Sequence, residues 1–304
     1  MSQKAADQKQ RPKPDTLKHA LVSHKWLYLM LIPGVLYMLI FNYMPMGGLV
    51  LAFQEFSPYN GDSIMGAFLQ SPFVGLRVFK KFFTGPDFLQ LLKNTLSISI
   101  TSLIFYFPAP IILALLLNEI KNAAFKRVTQ TMVYIPHFIS MVIVAALTAQ
   151  LFSTTDGLVY HWLVEILGRN NAPDVMSNPK LFVPMIVGQN MWKETGYGTI
   201  IFLAALSGVD VQLYEAAEVD GANRWQKMWH ITLPAIKSTI VIMLILKVGS
   251  ILNTGYEQIF LMQNSMNRTV SDVFDTYIYM KGVVNGNYSL ATEAGLFKSV
   301  VSMI

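Results

Sequence analysis

The sequence predicts an all-α membrane protein with about six transmembrane helices and a cytoplasmic N-terminus. Of its 304 residues, 53% are hydrophobic and 13% are charged, whereas soluble domains carry about 25% charged residues. Several apolar runs approach the roughly 20 residues that a transmembrane helix needs. Lys and Arg are concentrated before the first apolar run, and such an excess favours the cytoplasmic side of the membrane.

The apolar runs give the predicted spans in chain order. Five runs cover residues 26–43, 95–117, 132–152, 181–206 and 235–252, and a sixth begins at 290–304. The first contains Pro33 and Gly34, which bilayer helices tolerate better than soluble ones. The fourth is interrupted by the polar stretch GQNMWKETGYG. The last run has only about 15 residues, fewer than a full span needs, so the sequence as given is expected to end inside a helix.

The alternation of spans predicts the orientation of the loops. Residues on the cytoplasmic side are 118–130 and 207–234, and those outside are 45–93, 153–180 and 254–289. The predicted organisation is a basic cytoplasmic tail (1–25), the first transmembrane helix with an extracytoplasmic segment (26–93), and a transmembrane core (94–304). The outer segment GLRVFKKFF carries bases against this rule. We predict a short amphipathic helix there, with its bases at the lipid headgroups.

The basic tail is interpreted as an orientation signal. Its six bases are Lys4, Lys9, Arg11, Lys13, Lys18 and Lys25. Nucleic acid could bind such a cluster, but a basic stretch before a first apolar helix commonly sets membrane orientation. We therefore predict no nucleic-acid partner. A cleavable signal peptide is not expected, because the following apolar run is long and lacks a clear small-residue cleavage site.

No catalytic site and no metal site are predicted. The chain has no cysteine, which excludes disulfides, thiol catalysis and Cys-based zinc sites. It has no GxxxxGK[ST], HExxH or GxSxG motif, so we expect neither a Walker-type ATP site nor these hydrolase sites. The five histidines show no metal-ligand spacing, and the predicted spans contain no Asp. An intramembrane enzyme is therefore disfavoured.

One dense polar segment, YEAAEVDGANRWQKMWHITLPA (214–235), lies between the fourth and fifth spans. Ala216 and Ala217 would let another surface approach a helix closely, and Gly221 would relieve the backbone between two short helices. Leu233-Pro234 is expected to stop the second helix before the membrane. The large side chains fit either a docking surface or a loop at headgroup level. These side chains are Trp225, Met228 and Trp229.

The spacing in this segment resembles the signature loop of permeases in binding-protein-dependent ABC importers. The signature is Glu-Ala-Ala, three residues, Gly, nine residues and Ile-x-Leu-Pro, and the chain meets it from Glu215 to Pro234. The stretches WKETGYGTIIFLAALSGVD, VTQTMVYIPHFIS and GYEQIFLM also resemble one subgroup of these permeases. That subgroup imports oligosaccharides and polysaccharide fragments, including acidic ones such as alginate. The resemblance covers roughly residues 25–304.

The resemblance implies a type I ABC importer permease fold in the lipid bilayer of a prokaryotic inner membrane. It implies a second permease subunit, two cytoplasmic ATPase subunits that bind ATP and Mg, and an extracytoplasmic solute-binding protein that delivers an oligosaccharide substrate. The chain itself would be a non-catalytic transport subunit without a cofactor. Its 207–234 loop would seat on an ATPase, with Glu215 as the polar anchor and with Ala216, Ala217 and Gly221 allowing close approach.

Polar and charged residues inside spans are candidates for function. Those predicted for the substrate path are Gln189, Asn190, Trp192, Lys193, Glu194, Tyr197, Lys247, Asn253, Tyr256 and Glu257. Trp192, Tyr197 and Tyr256 would offer aromatic faces to sugar rings. Lys193 and Lys247 would attract an acidic sugar, because fixed positive charge attracts carboxylates.

Alternatives stay open for these residues and for the chain. Lys193 could pair with Glu194, and Lys247 with an acid such as Glu293, merely to survive burial. His137 is expected to be a helix-start or interface residue rather than a ligand. The alternative for the whole chain is an autonomous secondary transporter or channel without ATPase partners. Such a protein is expected to show paired broken helices in two matching halves, and the sequence has one polar interruption.

Overall fold

The computed structural model describes residues 24–303, so the predicted basic tail lies outside the described residues up to residue 23. Within this range the protein is helical and has no β-strand, only an isolated antiparallel bridge between Gln54 and Phe73. Of the described residues, 24–50 belong to one compact unit and 51–303 to a second. The predicted division between residues 93 and 94 stays a prediction.

The longer helices among residues 24–303 are α1 (Lys25–Met38), α2 (Ile64–Gln70), α3 (Arg77–Phe83), α4 (Pro86–Phe105), α5 (Pro108–Asn118), α6 (Ala123–Tyr134), α7 (Met141–Leu151), α8 (Leu158–Leu167), α9 (Pro179–Ser207), α10 (Val211–Val219), α11 (Lys237–Gly249), α12 (Tyr256–Met262) and α13 (Tyr288–Met303). Short α-helical segments are Met44–Met46, Arg224–Lys227, Leu233–Ala235, Arg268–Ser271 and Phe274–Ile278. The π-helical turns are Leu39–Tyr43, Met228–Thr232 and Tyr279–Val284, and the 3-10 helices are Gly47–Phe53 and Ile135–Phe138.

The first unit is an apolar helix. α1 continues through the turns that follow it, so that an apolar stretch of 29 residues reaches from Lys25 to Phe53. Pro33 lies inside α1 without ending it. The side chains of α1 are not buried within the chain. A helix that is apolar all round needs an apolar environment, which a bilayer supplies.

Both continuous helical stretches and bent helix pairs are long enough to span a membrane. Among the described residues, Lys25–Phe53 and Pro86–Asn118 are each long and apolar enough to cross a membrane. Three further helix pairs qualify if each bent pair is one span, with bends of 94°, 71° and 60° at a short break. The 16-residue helix α13 follows. The protein is thus a multi-pass, all-α membrane protein, as predicted.

The third span, predicted as residues 132–152, is bent rather than straight. α6 continues into the 3-10 helix Ile135–Phe138, and α7 leaves it after a bend of 94°. Pro136 has no N–H for a helical hydrogen bond, and Ile139 is extended with ψ 131°. Ser140 then caps α7 by accepting the N–H of Ile143 at 3.4 Å. A proline followed by a new N-cap therefore explains the break.

α9 is the central helix of the second unit. Its 29 residues contribute Phe182 and Ile186 to one apolar cluster, and Phe202 and Leu206 to another. Burial of each such side chain contributes about 1.5–3 kcal/mol. The polar stretch in its middle does not interrupt the helix, because the polar side chains find partners inside the fold.

The predicted amphipathic helix GLRVFKKFF corresponds to α3. Its Phe82 is buried and packs against Phe88, Phe274 and Phe297. Phe82 of α3 therefore packs on the protein, and the position of the α3 bases at the lipid headgroups stays a prediction. Two of the aromatic partners, Phe274 and Phe297, come from segments distant in sequence, which a local pattern does not reveal.

Candidate functional site

The 207–234 loop connects α9 to α11 through two short helical segments. α9 ends at Ser207, and the chain bends by 71° into α10. Asp210 caps α10 by accepting the N–H of Gln212 at 2.9 Å. Such a cap satisfies one of the unpaired N–H groups at a helix start. The direction of α10 is therefore fixed close to the end of α9.

Gly221 ends α10 in a left-handed conformation with φ +78°. The N–H of Gly221 donates to the carbonyl of Glu218 at 3.1 Å, and the N–H of Ala222 donates to the carbonyl of Ala217 at 2.8 Å. This pair of bonds is the Schellman arrangement, in which glycine avoids the cost of positive φ. The turn thus satisfies the last carbonyls of α10 and reverses the chain.

The second half of the loop starts with a capping box. Asn223 accepts the N–H of Gln226 at 3.0 Å, and the Gln226 side chain accepts the N–H of Asn223 at 2.7 Å. The helix then continues through Pro234, because Leu233–Ala235 is helical and the 60° bend into α11 follows it. The helix ends one residue after Pro234, at Ala235, so the break before α11 lies where Leu233-Pro234 was expected to stop it. A π-helical turn, Met228–Thr232, precedes Pro234. In such a turn the backbone hydrogen bonds run from i to i+5, so the α-helical pattern that proline would interrupt is already changed.

Two contacts tie the halves of the loop together. The hydroxyls of Tyr214 and Thr232 are 3.0 Å apart, and Lys227 Nζ lies 3.3 Å from Glu218 Oε2. These contacts cross the Gly221 turn. Together with the two caps, they give the loop one defined conformation.

The outer surface of the loop is apolar and acidic. Trp225 and Trp229 are 70% and 62% exposed, and Val219 is 89% exposed. Glu215 and Ala216 on α10 are also exposed, whereas Ala217 is half-buried. Large exposed apolar side chains within one loop make it a candidate interaction site. The seven residues predicted for the loop are therefore brought together on one structural element.

Polar residues in the middle of α9 form a cluster with the 3-10 helix Ile135–Phe138. Lys193 Nζ lies 2.9 Å from Glu194 Oε1 and donates to the carbonyl of His137 at 2.7 Å. The Nδ1 of His137 lies 2.7 Å from Glu194 Oε2, and its ring stacks on Tyr197 with centroids 3.8 Å apart. Gly196 makes this approach possible, because a Cβ at that position would lie 1.8 Å from the carbonyl oxygen of Val133.

This cluster bears on the two interpretations of Lys193. Its charge is already paired, since its side chain is only 11% exposed and contacts a carboxylate. In this structure Lys193 and Glu194 therefore form an ion pair with each other, as the alternative interpretation expected. His137 joins them as a partner of Glu194, although sequence analysis gave it only a structural role. Its position beside a proline inside a predicted span, in the stretch YIPHF, was the available signal.

Gln189 belongs to a buried amide network. Its Nε2 donates to Thr148 Oγ1 at 2.8 Å, and its Oε1 accepts from Gln258 Nε2 at 2.8 Å. Gln258 also donates to the carbonyl of Ile186 at 2.9 Å. The network joins α7, α9 and α12. Buried amides must be satisfied in this way, so Gln189 holds helices together in this conformation.

Lys247, Asn190 and Asn253 line one small cavity of about 50 Å³. Ser99, Ser102, Ser250 and Thr254 add hydroxyls to the same wall. Lys247 also lines a second cavity of about 260 Å³ beside Tyr106, whereas the 50 Å³ cavity holds only water, whose share of liquid volume is about 30 Å³. The smaller cavity is polar on most sides.

Lys247 has no ion-pair partner among residues 24–303. Its Nζ lies 5.3 Å from the ring centroid of Tyr106, at a cation–π distance. Pairing with Glu293 does not occur, because both carboxylate oxygens of that buried residue lack a hydrogen-bond partner in the described part of the chain. Tyr106 was missed by sequence analysis, although it stands at the break between α4 and α5.

The remaining path candidates lie elsewhere. Tyr256 packs on Tyr279 and Phe260, with ring centroids 4.6 Å and 5.2 Å away. Glu257 is exposed. Trp192 is 52% exposed and borders an apolar cavity of about 630 Å³ between α7 and α9. The structure therefore places the ten candidates in several local environments, and their role in a substrate path stays a prediction.

Comparison with known proteins identifies the family. A family model described as "Binding-protein-dependent transport system inner membrane component" matches residues 88–304. The chain belongs to this family. It is therefore a permease subunit of a binding-protein-dependent importer, a non-catalytic transport component of a membrane.

Relatives of this permease include sugar transporters. It is 53% identical to Protein LplB of Bacillus subtilis (strain 168), over 94% of this chain and 87% of that protein. It is 48% identical to the polygalacturonan/rhamnogalacturonan transport system permease protein YteP of the same organism, over 93% and 86%. The predicted carbohydrate subgroup is thus confirmed at the level of the family and its relatives.

Solved structures show the same fold. One is a bacterial ABC transporter involved in the import of the acidic polysaccharide alginate; its matching chain is 38% identical, with a TM-score of 0.85 and 94% coverage of both chains. A second is the alginate transporter in complex with an alginate pentasaccharide-bound periplasmic protein, with a TM-score of 0.84. The predicted type I importer permease fold is confirmed by this likeness.

Proposed function

We propose that this permease is one of two permease subunits that form a path for oligosaccharides or polysaccharide fragments across a prokaryotic inner membrane. A periplasmic solute-binding protein delivers the sugar, and two cytoplasmic ATPase subunits bind ATP and Mg and drive transport. The exposed, rigid 207–234 loop carries this proposal, because the chain has no Walker motif and needs a surface through which energy enters. The cargoes named for YteP and for the alginate importer support the substrate class.

The loop couples the ATPases to the membrane helices. Glu215 provides a charged anchor on the exposed side of α10, and Ala216 allows a close approach beside it. Closure of the ATPase dimer then moves α10 as a unit, because the Gly221 turn and the Tyr214–Thr232 contact hold its shape. Coupling between distant sites requires such an element that both sites can bias.

Glu215→Lys and Gly221→Pro test the coupling. Proline cannot adopt φ +78° and removes the N–H that donates to Glu218. We expect both variants to assemble and to bind the loaded binding protein, but to hydrolyse ATP without sugar uptake in proteoliposomes. Normal ATP-driven uptake by both variants would show that the loop does not couple.

Two controls match these changes. Gly168 also ends a helix, α8, at φ +81°, so Gly168→Pro introduces the same local strain outside the loop. Glu165→Lys reverses the charge of an exposed glutamate on α8. Both controls are expected to retain coupled transport. Loss of coupling in these controls as well would assign the effect to folding rather than to the loop.

The cargo is proposed to carry negative charge. Lys193 is neutralised by Glu194, whereas Lys247 has no carboxylate partner among residues 24–303. Transport of a uronate oligosaccharide and of a neutral one is compared in Lys247→Met, with Lys237→Met on the same helix as the control. A selective loss of uronate transport is expected from Lys247→Met. Equal losses for both sugars would remove the charge argument.

A further inference from the structure

A polar cleft lies apart from the path candidates, in segments predicted to be extracytoplasmic. Its volume of about 440 Å³ falls within the range of about 300–1,000 Å³ found for small-molecule sites. α3, the segment before α2 and the turn before α13 form its walls. Its polar and aromatic lining includes Arg77, Lys81, Ser57, Tyr59, Asn285 and Asn287.

The cleft has an excess of positive charge. Arg77 and Lys81 stand four residues apart on α3, so both point to the same face of the helix. Arg77 Nη2 pairs with Glu55 Oε2 at 3.0 Å, but a guanidinium has five N–H donors and keeps others available. Lys81 has no ion-pair partner within residues 24–303. Lys80, its neighbour, does not line the cleft.

The walls of the cleft are fixed by hydrogen bonds between distant segments. The carbonyl of Phe53 accepts the N–H groups of Val74 and Gly75 at 2.8 Å and 3.1 Å. Ser289 donates to the carbonyl of Gln54 at 2.7 Å and accepts the N–H of Phe56 at 3.0 Å. A preformed site loses less ordering entropy on binding than a mobile surface. These bonds therefore favour a ligand pocket over an adaptable contact area.

The lining chemistry fits a sugar acid. Asn287 uses its Oδ1 to accept the N–H of Leu290 at 3.2 Å, so its amide N–H groups stay available as donors. Tyr59, 94% exposed, offers an aromatic face and a hydroxyl at the rim. Donors of this kind pair with hydroxyls, and the two bases pair with a carboxylate through charge-assisted bonds.

We propose that this cleft binds a uronic acid unit of an oligosaccharide, with its carboxylate on Arg77 and Lys81 and its ring against Tyr59. This inference rests on the proposed function, because it assumes an oligosaccharide cargo. It adds a saccharide site outside the membrane path. A long acidic chain would then contact the permease at this cleft as well as near Lys247.

Binding of trigalacturonate to the complete transporter complex tests the cleft. The complex is reconstituted in phosphatidylcholine nanodiscs without binding protein or nucleotide, and its Kd is measured for fluorescent trigalacturonate and for the carboxyl-reduced neutral trimer. Arg77→Gln/Lys81→Gln is compared with Lys80→Gln. The Arg77–Glu55 pair is about 70% exposed on both sides, so its loss should not unfold the protein.

The double variant is expected to bind trigalacturonate roughly tenfold or more weakly than the wild type, because hydrogen bonds to charged groups contribute more to the binding free energy than neutral ones. Binding of the neutral trimer should change less than about threefold, and Lys80→Gln should match the wild type. Tyr59→Ala, a change at an exposed side chain, should weaken binding of both trimers.

Two results would overturn the inference. The first is unchanged trigalacturonate binding in the double variant, and the second is an equal loss for both trimers. Failure of the wild-type complex to bind trigalacturonate also overturns it, whereas ATP-driven uptake of the same sugar by that complex would still uphold the proposed function.

Discussion

Gly196→Ala should separate α9 from the chain segment that crosses it. The added Cβ would lie 1.8 Å from the carbonyl oxygen of Val133 and 2.5 Å from its carbonyl carbon, against 3.4–4 Å for ordinary contact. The two backbones would have to part by about 1.5 Å in an interior that is closely packed. Overpacking of this kind costs about 1–3 kcal/mol.

The same movement should loosen the ion cluster beside it. The bonds of His137 with Lys193 and Glu194 are 2.7 Å long, and a parting of about 1.5 Å would take them beyond hydrogen-bond distance. Gly188→Ala on the same helix is the matched control, because a Cβ there meets nothing within 4 Å. Alanine is the better helix former by about 0.8–1 kcal/mol, so this control should be neutral or stabilising.

The measurement is thermal unfolding of the purified transporter in detergent, followed by intrinsic tryptophan fluorescence. Gly196→Ala should lower the apparent Tm by several degrees, at about 2–4 °C per kcal/mol for a chain of this size class. Gly188→Ala should leave it unchanged or raise it. If both variants melt like the wild type, or if both lose the same amount, the close crossing at Gly196 does not limit stability.

Glu194→Gln should lower the free energy of unfolding by roughly 3 kcal/mol, the lower end for breaking a buried ion pair, because it leaves Lys193 buried without a carboxylate. Chemical denaturation measures this loss, and the double variant Lys193→Met/Glu194→Gln is expected to recover stability. Thr148→Val should lower the free energy of unfolding by about 1–3 kcal/mol, because the amide of Gln189 loses the hydroxyl that accepts its N–H. A wild-type denaturation midpoint would contradict this. Gly221→Ala should cost about 1–2 kcal/mol at a left-handed position, seen as faster hydrogen exchange confined to the 207–234 loop. Uniform exchange along the chain would refute that last expectation.

Features carried by short sequence patterns could be predicted. The apolar runs located the spans, because each membrane helix must satisfy its own backbone and expose apolar side chains. Gly221 was predicted at a junction of two helices, and the structure has α10 ending there. These features depend on neighbours in the chain, so a single sequence contains the necessary information.

Features that depend on distant segments could not be predicted. His137 meets Glu194 across 57 positions, and this contact requires the 94° bend between α6 and α7 together with a glycine at the crossing. The partners of Gln189 lie 41 and 69 positions away. Hydropathy marks such residues as unusual inside a span, but it does not say whether they face a partner or a path.

The two helices that leave the 207–234 loop each carry charged side chains within their length. α9 holds Lys193 and Glu194, and α11 holds Lys247. α9 is continuous for 29 residues, roughly 43 Å at 1.5 Å per residue, so a displacement of its end moves the polar cluster in its middle. A sugar that contacts Lys247 and an ATPase that contacts Glu215 would therefore act on two ends of one connected element. Such a shared element is the physical condition for coupling between distant sites.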